Sequence, residues 1–211
     1  YRLGDSGKFP AMLEDTAKAA AWTKANIAEY GGNPDQIFLS GHSAGAYNAA
    51  MIALDSQWLS REGLDSTAIK GVIGLAGPYD FYPFDSDSTR ASFGEAPVPE
   101  DTQPINFVHG DAPPLLLLTG EKDTTVMPRN TRVLAKAITA AGGIAETGYF
   151  DDFDHTGIIL ALASPWNRDS ALVDQISDFV TRFAEAPKIV SNAAANNAEG
   201  GASVPVQAEN R

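Results

Sequence analysis

This sequence of 211 residues predicts an α/β fold, a mostly parallel sheet with helices on both faces, and three observations carry the prediction. Short, nearly continuous apolar runs at 37–40, 71–76 and 115–119 have the length and composition of strands buried on both sides. Segments with apolar residues at helical spacing alternate with them, as crossover connections between parallel strands require. The length suits one domain with a substantial core, and no internal repeat breaks it.

The first helix is predicted over 9–30. Pro10 suits its first turn, Glu14 and Asp15 complement its dipole, and Leu13, Ala17, Ala20 and Ile27 share one face. Gly31-Gly32-Asn33-Pro34 stops it, strand 37–40 follows, and 44–54 forms the next helix. After strand 71–76 the pattern lapses over 79–113 into a Pro-, Ser- and Asp-rich stretch with scattered aromatics. It is too long for an ordinary connection and is expected to form an excursion or lid over the active-site end. Beyond strand 115–119, Val133, Leu134, Ala137, Ile138 and Ala141 mark a helix that Gly142-Gly143 ends, and 147–150 makes a fourth strand. Leu172, Ile176, Phe179 and Phe183 are spaced to lay a last helix on the sheet. The predicted domain is therefore 1–185, with 186–211 a disordered tail whose Ala, Asn, Gly and Glu content supplies too few apolar residues to fold. At the other end, Tyr1 reads as the end of a strand, so a natural N-terminus with any export signal is expected upstream.

A net charge of −12 without a basic stripe excludes nucleic acid and anionic membrane as partners. With no cysteine there is no disulfide, thiolate nucleophile or sulfur metal site, and the compartment is left open between the cytoplasm and export. The longest uninterrupted run of Leu, Ile and Val, 115–118, is far short of a membrane span.

Gly41-His42-Ser43-Ala44-Gly45 lies between an apolar strand and an apolar helix, the context in which a Gly-x-Ser-x-Gly turn presents a nucleophilic serine. Small residues two positions either side are expected to let the chain turn sharply. The Ala44 N–H at the start of the following helix is expected to face the developing oxyanion. A serine hydroxyl needs a base, and only three histidines exist. His42 is assigned a local packing role and His109 a turn. His155 follows the last strand in the polar loop Asp151-Asp152-Phe153-Asp154-His155, at the end of the sheet where α/β proteins gather their chemistry. For the acid, Asp123 and Glu121 both follow strand 115–119; the chain order Ser, Asp, His favours Asp123, which could otherwise simply cap its turn. Asp151, Asp152 and Asp154 match no calcium loop, and no metal site is expected.

Tyr1-Arg2-Leu3, Phe9-Pro10-Ala11, Leu13-Glu14-Asp15, Tyr30-Gly31-Gly32-Asn33-Pro34, Gly41-His42-Ser43-Ala44-Gly45 and Leu118-Thr119-Gly120-Glu121-Lys122-Asp123 occur in the order seen in one family. Over about residues 1–185 the chain resembles α/β-hydrolase fold carboxylesterases of the bacterial type related to hormone-sensitive lipases and to feruloyl-esterase-like and kynurenine-formamidase-like hydrolases. The resemblance implies Ser43 as nucleophile, Asp123 as acid and His155 as base. It also implies further strands and a His-Gly-Gly-type oxyanion loop upstream of Tyr1. The expectation is thus an N-terminally truncated esterase whose unpaired sheet edge favours pairing with another chain or a homo-oligomer.

The expected chemistry is hydrolysis of a small-molecule carboxylic ester through an acyl-enzyme, without a cofactor. Phe81, Tyr82, Phe84 and Phe93 in the excursion are candidates for the substrate pocket. The alternatives are an amidase, formamidase or peptidase using the same three residues, and a non-catalytic fragment that only binds.

Overall fold

The computed structural model describes residues 1–163 and 170–185; the tail expected at 186–211 lies outside the described residues. In chain order the elements are α1 (Ala11–Asn26), β1 (Ile37–His42), α2 (Ala44–Leu54), α3 (Gln57–Arg61), β2 (Ile69–Leu75), α4 (Asp87–Phe93), β3 (Leu115–Gly120), α5 (Arg129–Ala140), β4 (Ala145–Phe150), α6 (Gly157–Ala163) and α7 (Ser170–Glu185). The four strands pair in sequence order, all parallel. Phe38 to His42 runs opposite Gly71 to Leu75, Val72 pairs with Leu115, and Leu115 pairs with Ala145.

Alternation along the strands divides the core into two layers. Ile37, Val72, Leu115 and Leu117 face α1, α2 and α5, where Leu13, Ala50, Met51, Leu134 and Ile138 close the interior. Ile73, Leu75, Leu116 and Leu118 face the other way, onto Ile158 and Ala161 of α6 and Leu172 and Phe179 of α7. α2 and α5 lie within the first and third crossovers and share a face, as uniform crossover handedness demands. α7 approaches the opposite face closely: a Cβ at Gly71 would sit 2.8 Å from the Phe179 ring.

The first helix is shorter than the apolar pattern predicts. It gives way at Ile27 to one 3₁₀ turn, which Gly31 ends at φ 81°. β1 runs two residues past Ser40 because Gly41 and His42 keep pairing with Gly74 and Leu75. Tyr1, read from the sequence as a strand end, lies in no strand. Arg2 is instead tied to α1 by its backbone N–H and guanidinium on Asp15, and Gly4–Gly7 forms a 3₁₀ turn.

The excursion at 79–113 holds α4, which Ser86 and Thr89 cap reciprocally, and two 3₁₀ turns, Pro99–Thr102 and Pro104–Phe107. Phe81, Phe93, Ile105, Phe107 and Val108 pack on the α2 side of the core. The aromatic content that marked this segment in the sequence thus anchors it, while its near end forms a wall beside Ser43. Among the described residues no helix is long and apolar enough to cross a membrane.

Candidate active site

β1 ends and α2 begins with no spare residue, so the chain reverses direction within Ser43 itself, at φ 54° and ψ −119°. A non-glycine residue held there stores about 1–3 kcal/mol of strain. The surroundings impose it: Ser43 N–H donates to the Leu75 carbonyl at 2.9 Å, and the Ser43 carbonyl accepts from Tyr47 N–H at 3.1 Å. The need for small neighbours is one-sided. A Cβ at Gly41 would lie 2.3 Å from the Gly45 carbonyl carbon, whereas a Cβ at Gly45 would meet nothing within 4 Å outside its own helix backbone.

His155, in the loop between β4 and α6, brings Nε2 to 2.9 Å from Ser43 Oγ. Its Nδ1 lies 2.8 Å from Asp123 Oδ2. Asp123 is 1 % exposed, and its other oxygen accepts from Thr125 and Val126 N–H at 2.9 Å each. One carboxylate therefore does both things the sequence offered as alternatives, holding its own turn with Oδ1 and His155 with Oδ2. With both oxygens engaged as acceptors, Nδ1 of His155 carries the proton and Nε2 is left to accept from the serine hydroxyl. Glu121 turns away to pair with Arg132 of α5.

Two of the three aspartates around His155 are committed elsewhere. Asp154 Oδ1 accepts from Thr156 and Gly157 N–H at the start of α6, at 3.2 and 2.7 Å, and Asp152 pairs with Lys122 at 3.0 Å. Among the described residues no three His, Asp or Glu side chains are grouped to hold a metal ion.

A cleft of about 620 Å³ opens from Ser43 and Ala44, walled by Phe81, Tyr82 and Phe93 on one side and Thr125, Val126 and Met127 on the other. Ala44 N–H is the first of the 11-residue helix α2, whose positive dipole end therefore faces the cleft. Of the four aromatics picked from the sequence, Phe84 is not in the wall; it stacks behind it on Phe93, 5.9 Å between centroids at 28°. Tyr47 forms the floor, its buried phenol pushed up in pKa by desolvation.

Sequence reasoning missed three participants. Tyr47 reads as one more apolar position of α2. Gln103 and Asn130, both buried, hold the backbone of the aromatic wall, and no local sequence signal distinguishes them from surface amides. His42, assigned to local packing, touches His155, with its ring centroid 4.7 Å away and its Nε2 2.7 Å from the His155 carbonyl oxygen.

Residues 1–138 match the BD-FAE family model. Esterase LipQ of Mycobacterium tuberculosis is 32 % identical over 187 residues, spanning 82 % of this chain and 44 % of LipQ. The isoprenylcysteine alpha-carbonyl methylesterase ICME of Arabidopsis thaliana is 27 % identical over 198 residues, 84 % of this chain and 46 % of that protein. The chain thus spans less than half the length of these relatives. Among solved structures, the thermophilic esterase Est2 of Thermogutta terrifontis superposes with a TM-score of 0.67 at 21 % identity, covering 83 % of this chain and 66 % of that one. At that identity the likeness is one of fold, and the fold is that of the α/β-hydrolases.

Proposed function

We propose, for a chain that belongs to the BD-FAE family, that Ser43, His155 and Asp123 form the catalytic set of a carboxylesterase acting through an acyl-enzyme. The observation that carries this reading is the continuous line of hydrogen bonds from Ser43 Oγ to His155 Nε2 and from His155 Nδ1 to Asp123 Oδ2, at 2.9 and 2.8 Å.

Ser43 Oγ attacks the ester carbonyl carbon while its proton passes to His155 Nε2. The carbonyl oxygen becomes an oxyanion against Ala44 N–H and the start of α2, where charge is stabilised only as it develops. Asp123 keeps Nδ1 protonated, and its charge stabilises the imidazolium. Collapse of the intermediate breaks the ester C–O bond, and the leaving alcohol takes the proton from Nε2. Water then attacks the acyl-serine with His155 again as base, releasing the carboxylic acid and regenerating Ser43. The substrate is a small ester fitting the cleft, whose aromatic wall at Phe81 and Phe93 suits apolar substituents.

Hydrolysis of short p-nitrophenyl esters by the purified chain beside Ser43→Ala tests this. Turnover present in the parent and lost in the variant is expected; equal rates in two folded samples would reject it.

A further inference from the structure

We propose that His42 is a positioning residue for His155, fixing the imidazole by holding the backbone of the loop that carries it. The proposal rests on the reading of Ser43 and His155 given above.

His42 is the last residue of β1, held by the sheet opposite Leu75. His155 sits in the loop after β4, a short polar stretch in which Asp151, Asp152 and Asp154 are exposed. Phe153 anchors this loop through its ring, stacked on Phe150 with 5.6 Å between centroids, and through its carbonyl, which accepts from Lys122 N–H at 3.1 Å, but these ties act two residues before His155 and leave its own backbone to be fixed to the tolerance that proton transfer demands. His42 supplies a direct tie across 113 residues of sequence, with Nε2 2.7 Å from the His155 carbonyl oxygen. A carbonyl oxygen only accepts, so Nε2 carries a proton, and the neutral ring has its lone pair on Nδ1. Two hydrogen bonds hold the His155 ring itself, to Asp123 and Ser43, and both work only if its backbone is correctly placed. His42 thus links nucleophile and base mechanically: it adjoins Ser43 in sequence and grips His155 in space.

The second part of the arrangement is electrostatic. The two imidazole rings lie 4.7 Å apart at 44°. A charged His42 at that distance would oppose the imidazolium that His155 becomes on taking the serine proton. Burial lowers the pKa of His42; the hydrogen bond to the His155 carbonyl acts the other way, the charge His155 can carry lowers it further, and the Asp123 carboxylate raises it, with the net shift downward. The downward shift favours the neutral ring, which still donates through Nε2.

Two variants separate the hydrogen bond from the packing. His42→Gln keeps an N–H donor at about the reach of Nε2, and His42→Phe keeps a ring without the donor. Because the chain has three histidines, the His155 Nδ1 proton bonded to Asp123 is assignable in the downfield NMR spectrum by comparison with His155→Ala. It is expected as a sharp resonance in the parent and in His42→Gln, and broadened by exchange in His42→Phe. Labelling of Ser43 by a fluorophosphonate is expected to slow about ten- to a hundredfold in His42→Phe, the range a misplacement of about 1 Å produces, and to recover most of its rate in His42→Gln. Should His42→Phe not fold, His42→Leu makes the same comparison. An unchanged resonance and labelling rate in folded His42→Phe or His42→Leu would overturn the proposal. Equal loss in the Gln and Phe variants would do so too, by making the ring rather than the donor the requirement. Labelling that survives Ser43→Ala, or a parent lacking the downfield resonance, would instead remove the catalytic reading and the proposal with it.

Discussion

Gln103 and Asn130 divide four successive backbone N–H groups between their side-chain oxygens. Asn130 Oδ1 accepts from Tyr79 and Asp80 at 2.9 Å each, and Gln103 Oε1 accepts from Phe81 at 2.7 Å and Tyr82 at 3.0 Å. Gln103 also donates to Thr102 Oγ1 at 2.7 Å, and Asn130 is itself fixed as the second residue of α5. The segment that begins the aromatic wall of the cleft has no strand partner for these donors, so two buried amides take the place of one.

Gln103→Leu and Asn130→Leu each strand two N–H groups and should cost about 1–3 kcal/mol, because the donors lose their partners without regaining water. Urea unfolding measures that cost. In ester hydrolysis the same variants should raise KM more than they lower kcat, since the wall moves while Ser43 and His155 stay in place. A wild-type midpoint for both would show that water replaces the amides.

Asp123→Asn should retain the fold and lose activity by a factor on the order of 10⁴, because an amide NH₂ facing Nδ1 of His155 selects the wrong tautomer. Glu121→Gln should leave turnover within about twofold, as its partner Arg132 lies on the surface, where ion pairs contribute about 0–1 kcal/mol. Steady-state rates of the two variants, side by side, decide which carboxylate acts.

Gly41→Ala places a methyl 2.3 Å from the backbone of Gly45, so the turn must open. It should destabilise the chain by about 1–3 kcal/mol and slow fluorophosphonate labelling of Ser43. Gly45→Ala meets open space within a helix and should be neutral, or stabilising by up to about 1 kcal/mol, in thermal melts. Equal effects would mean that the turn needs both glycines.

Asp15 accepts from Arg2, and these hydrogen bonds lower its pKa from 3.8 to about 2. The unfolded chain therefore binds a proton near pH 3.8 that the folded chain refuses until about pH 2. The contribution of Asp15 to stability is complete above pH 3.8 and is lost as pH falls towards 2. Melting temperatures of Asp15→Asn should fall below the parent's at pH 6 and converge with them near pH 2; a constant gap would assign the effect to packing.

What the sequence alone determined is what short-range chemistry encodes. The Gly41 to Gly45 turn, the buried strands and the amphipathic α5 and α7 are written in residues a few positions apart, where periodicity and backbone sterics decide the outcome. The order of Ser43, Asp123 and His155 was legible for a related reason: each follows a strand, and parallel strands deliver their C-terminal ends to one side of the sheet. Tertiary structure alone decided the rest. Asp123 and Glu121 are two residues apart on one turn, and only the positions of His155 and Arg132 give one to the histidine and the other to the surface. Nothing beside Phe84 in sequence says that it stacks behind Phe93 instead of facing the cleft. Nor does anything near His42, Gln103 or Asn130 reveal partners that lie 113, 22 and 51 residues away. A polar side chain's partner is whichever group the folded chain brings within about 3 Å, and that distance is set by the packing of the whole sheet and its helices.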